Sequence, residues 1–305
     1  MDSTGNRNHA GADGRRVAVV APSGPVDHDA LAAGEDVLRN AGFVVALPAD
    51  RPVWRIFSGT DADRLTELQA ALDAPEVGFV WMARGGYGLN RLLPQLRLSA
   101  DILGGKLVIG FSDATALLTA VDAAGGRAIH GPMVAHDLVR EAASGGFDHF
   151  LALAAGRSDW SVPIPITLQP GVARGRVLGG CLTVLASLLG TPAAPAFAGR
   201  IALLEDYHEA PQRRIDRLLI QLRQSGALDG VQGIFFGSMD GCGPPAELHE
   251  TILDCLADLG VPIGFGAPVG HGPSNLAIPF GVDVEMSLAA GEGGALAGRE
   301  GLLVE

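Results

Sequence analysis

KLVIGFSDATALLTA, residues 106–120, carries the choice on which the architecture of the chain turns. Leu107 to Ile109 is a short apolar run rich in β-branched residues, the pattern of a strand buried in a parallel sheet, whereas ATALLTAVDAA after it is built largely from helix formers. GFSDA is then a strand-to-helix turn with Ser112 at its centre. A serine there serves either as a helix cap, through its hydroxyl, or as a nucleophile that the turn displays.

The same rhythm extends outward. Val17 to Val20 is a β run followed by a Pro/Gly/Ser turn, HDALAAGEDVLRNAGF is helical and stops at Gly42, and FVVAL is the next strand. DADRLTELQAALDAP has amphipathic helical spacing, VGFVWMA is a strand, RGGYG a turn and LNRLLPQL a further helix. This succession defines an N-terminal α/β domain over residues 16–137, an open parallel sheet of Rossmann-like type, behind a polar segment, residues 1–15, expected to be a disordered tail. Residues 138–172 change character: GRSDWSVPIPITLQPG is rich in proline without sustained helical spacing, as in a linker or an edge strand. Residues 173–305 mix both patterns, from ARGRVLGGCLTVLASLLGTP through IALLED and VQGIFFG to the short β pieces VDVEMSL and ALAGREGLLVE. They read as a β-rich, mixed C-terminal domain, so the fold class expected is α/β.

Composition bounds the function. At 305 residues the chain exceeds what one ordinary core supports, and 48% hydrophobic residues suffice for two. The opening has no basic segment followed by an apolar one, and no apolar stretch reaches spanning length, so a cytoplasmic protein without a membrane partner is expected. A net charge of −12 without a long basic block argues against a nucleic-acid partner. Cys181, Cys242 and Cys255 form no CxxC pair, and there is no H-E-x-x-H, so neither a disulfide framework nor a metal site is expected. APSGPV and RGGYGLN lack the dinucleotide fingerprint, and no cofactor is expected.

Four places remain that can carry chemistry. GFSDA approximates the G-x-S-x-G nucleophile elbow, with Ala114 in place of the last glycine. His271 lies in FGAPVGHGPSNLAIPFG, a Gly/Pro-dense loop, and is a better candidate base than His249 in AELHET or His9 in the opening segment. Glu205 and Asp206 follow the apolar strand IALL, where a carboxylate can orient an imidazole or simply face solvent. ARGGYG, with Arg84 and Gly86, is a plain tight turn or a loop whose N–H groups meet an anion. Trp160 is a candidate ring platform or a packed surface residue.

Taken together these segments resemble the LD-carboxypeptidase family of serine peptidases, which includes murein tetrapeptide carboxypeptidases and microcin C immunity proteins. The resemblance is carried, in order, by APSGPV, FSGTDADRLTELQAALDAPEVGFVWMARGGYGLNRLLPQL, IGFSDATALL, IHGPM, GRVLGGCLTVLASLLGTP, LLEDYHEAPQRRIDRLL and PVGHGPSNLAIPFG. It implies Ser112 as nucleophile, Glu205 as triad acid and His271 as base, with an oxyanion hole from the N–H groups of Asp113 and Gly86. It further implies a site in the cleft between two domains, a homodimer, and a murein tetrapeptide or related small peptide as substrate. Such a substrate ends in a carboxylate, for which Arg84 is the candidate cation. Two departures from the family stand out: Cys181 in GGCLT where asparagine is expected, and a loop after Glu205 one residue longer than usual. Two other functions compete: an immunity-type amidase acting on aminoacyl nucleotides, and a non-catalytic nucleotide- or sugar-binding module in which Ser112, Glu205 and His271 do not converge.

Overall fold

The computed structural model describes residues 16–208 and 213–299. The expected tail at residues 1–15 lies outside the described residues, as do four residues of the loop after Glu205 and the last six of the chain.

In the first half, strands β1 (Arg16–Val20), β2 (Val44–Ala46), β3 (Phe79–Met82), β4 (Leu107–Gly110) and β5 (Arg127–His130) alternate with helices α1 (His28–Asn40), α2 (Asp61–Asp73), α3 (Leu89–Leu92), α4 (Ala100–Leu103) and α5 (Thr115–Ala123). Three of these helices, α1, α2 and α4, start on a side-chain cap. Asp27 caps α1 through the Ala30 N–H, Thr60 and Asp63 form a reciprocal capping box on α2, and Ser99 caps α4. The five strands are parallel in the order β5-β4-β3-β1-β2, and every residue of β3 and β4 is buried, as continuous apolar runs require. The chain order reverses at β1, which lies between β2 and β3. The crevice at the C-terminal ends of β1 and β3 is thus the switch point of the sheet, and it receives the turn after β1, the glycine loop after β3 and the Ser112 turn after β4.

Residues 138–172, expected as a linker, are mostly structured. Helices α6 (Asp137–Ser144) and α7 (Gly146–Ala154) follow β5, and α6 packs on α1. Strands β6 (Ser161–Ile164) and β7 (Ile166–Gln169) come next. The pattern hid them for two reasons: Gly145, at φ 87, breaks one helical run into two, and Pro163 and Pro165 interrupt a short strand pair.

The second sheet has eight strands in the order β6-β14-β13-β8-β9-β10-β11-β7. Its centre is parallel, formed by β8 (Gly171–Cys181), β9 (Arg200–Glu205), β10 (Gly233–Phe236) and β11 (Ile263–Phe265), with α8 (Leu182–Leu188), α9 (Arg213–Gln224) and α10 (Pro245–Leu256) in the connections. The strands outside that centre pair antiparallel. Its edge strands β6 and β7 are separated in sequence by Pro165 alone, so the sheet curls until its two edges meet at that residue. Trp160, 6% exposed, precedes β6 at the end away from Pro165 and packs against Gly298, which accounts for it as a packing residue.

The two halves are not independent. β12 (Ile278–Pro279), which precedes β13 (Asp283–Ala289) and β14 (Gly293–Gly298), crosses back to pair antiparallel with β5 and completes the first sheet as its sixth strand. Arg200 forks onto Asp122 at 2.9 and 3.1 Å, and Asn90 donates to Ser187 Oγ at 2.8 Å across the same seam. Among the described residues no helix is long and apolar enough to cross a membrane.

Gly34 lies in the middle of α1, where alanine would ordinarily gain about 0.5–1 kcal/mol in helix propensity. Here a Cβ would strike the Val134 carbonyl oxygen and stand 2.9 Å from Val134 Cγ1. Overpacking of this kind costs about 1–3 kcal/mol. The close approach therefore decides the sign, and Gly34→Ala should lower the urea midpoint of unfolding rather than raise it.

Candidate active site

Ser112 is one of the few non-glycine residues with positive φ, at 61°, and opens a single 3-10 turn, Ser112–Ala114, that runs into α5. That conformation costs about 1–3 kcal/mol and persists only where the surroundings impose it. They do so from both sides. A Cβ on Gly110 would stand 2.9 Å from Ala114 Cβ, and a Cβ on Gly85 would stand 2.9 Å from Ser112 Cβ and 3.1 Å from its Oγ. Small residues at 85, 110 and 114 are what the elbow needs, and Ala114 meets that need in place of a third glycine. Ser112 makes no side-chain cap, so the capping alternative is not the one realised.

The elbow is held by its neighbour. Asp113 is buried and its Oδ2 accepts from Ser23 Oγ at 2.6 Å and from the Leu89 N–H at 3.0 Å. One carboxyl thereby ties together the loops after β1, β3 and β4. Burial pushes its pKa up, against the opposing hydrogen bonds from Ser23 and the backbone.

His271 Nε2 lies 3.0 Å from Ser112 Oγ, and its Nδ1 lies 2.6 Å from Glu205 Oε2. Glu205 is the last residue of β9 and fully buried; the His271 backbone N–H also donates to its Oε2, at 3.3 Å. With Nδ1 donating to the carboxylate, Nε2 is left as the acceptor toward the serine hydroxyl. Burial depresses the imidazole pKa, but the bond to Glu205 and its charge outweigh that, and the net position is above the ordinary value of 6.5. His130, fully buried nearby, is driven down to about 3 by burial and then by His271, so it stays neutral.

The loop bearing His271 is anchored from the other half of the chain. Asn275, fully buried, accepts the Gly270 N–H at 2.8 Å, and its own N–H donates to Glu141 Oε1 at 2.9 Å. Glu141 is a buried residue of α6, so the imidazole rests on the first half as well as on β9. Neither Glu141 nor Asn275 stood out in the sequence. The apolar helical face around Glu141 gave no signal, although Asn275, inside the Gly/Pro-dense PSNLAIPFG, shared a loop with a singled-out histidine.

These groups open on a cleft of about 480 Å³, lined by Ser112 and His271 together with Tyr87, Arg91, Cys181 and Tyr207. Gly86 and Asp113 line it too. Arg84 does not: its guanidinium donates to the Pro25 carbonyl at 2.5 Å, and the arginine on the cleft is Arg91, forked onto Asp61 with Nε at 2.9 and 3.0 Å and Nη2 at 2.5 Å. His249 packs on Phe265, away from the cleft. His9 lies outside the described residues. Cys181 donates its S–H toward Asp206 Oδ1 at 3.7 Å, and burial, reinforced by Glu205 and Asp206, pushes the thiol well above its ordinary range. It is therefore a neutral donor, the same hydrogen-bonding sense an asparagine amide would supply.

Sequence profiles of the LD-carboxypeptidase N-terminal and C-terminal domains match residues 17–131 and 174–286. The chain belongs to the LD-carboxypeptidase family. It is 35% identical over 283 residues to the murein tetrapeptide carboxypeptidase of Pseudomonas aeruginosa, covering 87% of this chain and 91% of that one. It is 26% identical over 260 residues to the microcin C7 self-immunity protein of Escherichia coli, covering 74% and 75%. A crystal structure of muramoyltetrapeptide carboxypeptidase from Oxalobacter formigenes superposes with a TM-score of 0.83 at 27% identity, over 94% of this chain and all of that one. The chain is thus a hydrolase of the serine carboxypeptidase class, with an α/β fold of two sheets.

Gly270, at φ 98, leaves no room for a side chain: a Cβ there would stand 2.8 Å from Glu205 Cδ. Gly270→Ala should displace the carboxylate from Nδ1 and slow covalent labelling of Ser112 by a fluorophosphonate about a hundred-fold. Far-UV circular dichroism of the variant should match that of the unaltered protein, which separates the local effect from unfolding.

Proposed function

We propose that the protein hydrolyses the amide between an L-configured centre and a terminal D-alanine in murein tetrapeptides, through Ser112, His271 and Glu205. The observation that carries the reading is the unbroken line from Ser112 Oγ to His271 Nε2 at 3.0 Å and from Nδ1 to Glu205 at 2.6 Å, on an open cleft. Its support beyond geometry is the likeness to murein and muramoyl tetrapeptide carboxypeptidases.

In this reading His271 Nε2 takes the hydroxyl proton as Oγ bonds to the carbonyl carbon, and the carbonyl oxygen becomes an oxyanion facing the N–H groups of Asp113 and Gly86. Glu205 stabilises the imidazolium. Collapse breaks the C–N bond, His271 returns the proton to the departing amine, and free D-alanine leaves an acyl-serine. Water then repeats the sequence: its proton goes to His271, its oxygen to the acyl carbon, and Ser112 recovers its proton. The leaving amino acid carries a carboxylate, and Arg91 is the cation on the cleft to receive it, in place of Arg84. Its Nε and Nη2 are committed to Asp61, so in this reading Nη1 is the atom that meets the substrate carboxylate.

A second reading, an amidase acting on aminoacyl nucleotides, is favoured by the likeness to the microcin C7 self-immunity protein and by Tyr87, 70% exposed on the glycine loop of the cleft. Trp160, buried against Gly298 at the end of β14, is no platform for such a base. The binding-module alternative requires that the three residues stay apart, which the 3.0 and 2.6 Å separations do not meet.

Mass spectrometry of a disaccharide-tetrapeptide incubated with the protein should show loss of one alanine, and Ser112→Ala should reduce that rate at least about a thousand-fold. Release of nucleotide from an aminoacyl-nucleotide conjugate without any alanine release would reverse the ranking. Arg91→Ala should raise KM about ten-fold while changing kcat less. Because the His271 pKa is raised, the base is protonated and inactive up to a higher pH than a free imidazole. The acidic limb of kcat/KM should accordingly lie above pH 6.5, and Glu205→Gln should move it down while lowering the plateau.

A further inference from the structure

We propose that Tyr207 is a positioning residue for the imidazole of His271, setting the plane of the ring from the open side of the cleft. The proposal rests on the Ser–His–Glu reading above.

The bond from Nδ1 to Glu205 fixes one direction of the ring but leaves rotation about that bond, and two aromatic surfaces restrict it. Phe111 meets the imidazole edge-on, with centroids 4.8 Å apart at 62°, while Tyr207 lies nearly parallel to it at 5.3 Å and 14°. Phe111 is 3% exposed and belongs to the core, where an aromatic needs no further reason. Tyr207 is 45% exposed, so burial does not account for its place.

The Tyr207 ring also packs on that of His208, with centroids 4.1 Å apart at 41°, and the backbone of Tyr207 is held as well. Its N–H donates to Asp206 Oδ1 at 2.9 Å, and Asp206 Oδ2 accepts the Thr183 N–H and hydroxyl at 2.9 and 2.8 Å. On either side, Asp206 N–H donates to the Ser238 carbonyl at 3.1 Å and His208 N–H to the Asp240 carbonyl at 2.9 Å. The segment leaving β9 is pinned before and after Tyr207, and Glu205 is two residues upstream on it. One short stretch of chain thus supplies both the acceptor for Nδ1 and the face against the ring. A parallel aromatic face also favours the imidazolium that forms when His271 takes the serine proton, and it keeps bulk water from that side.

The test compares Tyr207→Ala and Tyr207→Phe in the full chain by three readouts. These are the rate at which a small fluorophosphonate labels Ser112, kcat and KM on a disaccharide-tetrapeptide, and the downfield proton resonance of His271 Nδ1–H. Tyr207→Ala should slow labelling about ten-fold, lower kcat by a similar factor with KM unchanged, and broaden the resonance; Tyr207→Phe should restore all three. Labelling of Tyr207→Ala at the unaltered rate overturns the proposal. So does a rise in KM alone, which would assign the ring to substrate binding. Absence of Ser112 labelling in the unaltered protein would instead sink the triad reading, a separate failure. Should Tyr207→Ala not fold, Tyr207→Leu, which keeps bulk without the aromatic face, carries the same comparison.

Discussion

The constraint on which the site depends is a carboxylate placed where no water reaches it. Glu205 ends a central strand of the second sheet, is fully buried, and accepts both of its described hydrogen bonds from one residue, His271. An ionised carboxyl in that position is costly unless paired. The pairing in turn demands that the chain at 269–271 come within contact distance. Gly270 and Gly237 make this possible: a Cβ on either would meet Glu205, at 2.8 Å from Cδ and 3.1 Å from Cβ respectively. The imidazole is thus where it is because the buried charge and the missing side chains leave one arrangement.

That arrangement spans two sheets without depending on their relative motion. Ser112 belongs to the first sheet and Glu205 to the second, yet the loop of His271 is bound to both. It reaches the first through Glu141, Asn275 and the pairing of β12 with β5, and the second through Glu205. A further tie runs from the Cys181 N–H to Thr115 Oγ1 at 3.1 Å, one helical turn after the elbow. The bare α-carbon of Gly180 allows it, since a Cβ there would stand 2.5 Å from that same oxygen. Geometry between serine and base is therefore set by packing at the seam, in keeping with a site that is preorganised.

How much of this was legible in the sequence follows the range of the interactions. The strand-to-helix turn at Ser112 was readable because apolar runs, helix formers and small residues stand within a dozen positions of one another, Glu205 was readable as a carboxylate at the end of an apolar strand, and His271 as a histidine in a loop dense in glycine and proline. Of the two readings of residues 138–172, a linker or an edge strand, the edge strand describes β6 and β7, whereas α6 and α7 were not expected because the glycine pair at 145–146 splits their helical pattern. Arg84 looked like the cation of the cleft because it sits in the glycine loop, but a side chain's direction is not written in its position. It turns to Pro25, while Arg91, one helical turn into α3, faces the cleft. Glu141 and β12 could not be anticipated at all, since each acts across more than a hundred residues of chain.

The electrostatics around the imidazole add a last step. Four carboxyl groups surround the elbow and the base, Asp113, Asp137, Glu205 and Asp206, and burial pushes Asp113, Asp137 and Asp206 upward. The Cys181 thiol is held protonated and His130 neutral. The groups around Ser112 and His271 thus divide: burial disfavours ionisation of most of them, and Glu205 pairs directly with the ring that carries positive charge in the proposed mechanism. In that mechanism an imidazolium on His271 meets Glu205 at 2.6 Å on Nδ1, with the charges of Asp206 and Asp137 acting in the same sense, and no competing cation on His130. This division also explains why cysteine is compatible with position 181. Buried between Glu205 and Asp206, a thiol that remains an S–H donor adds no charge to a balance on which the proton transfer depends.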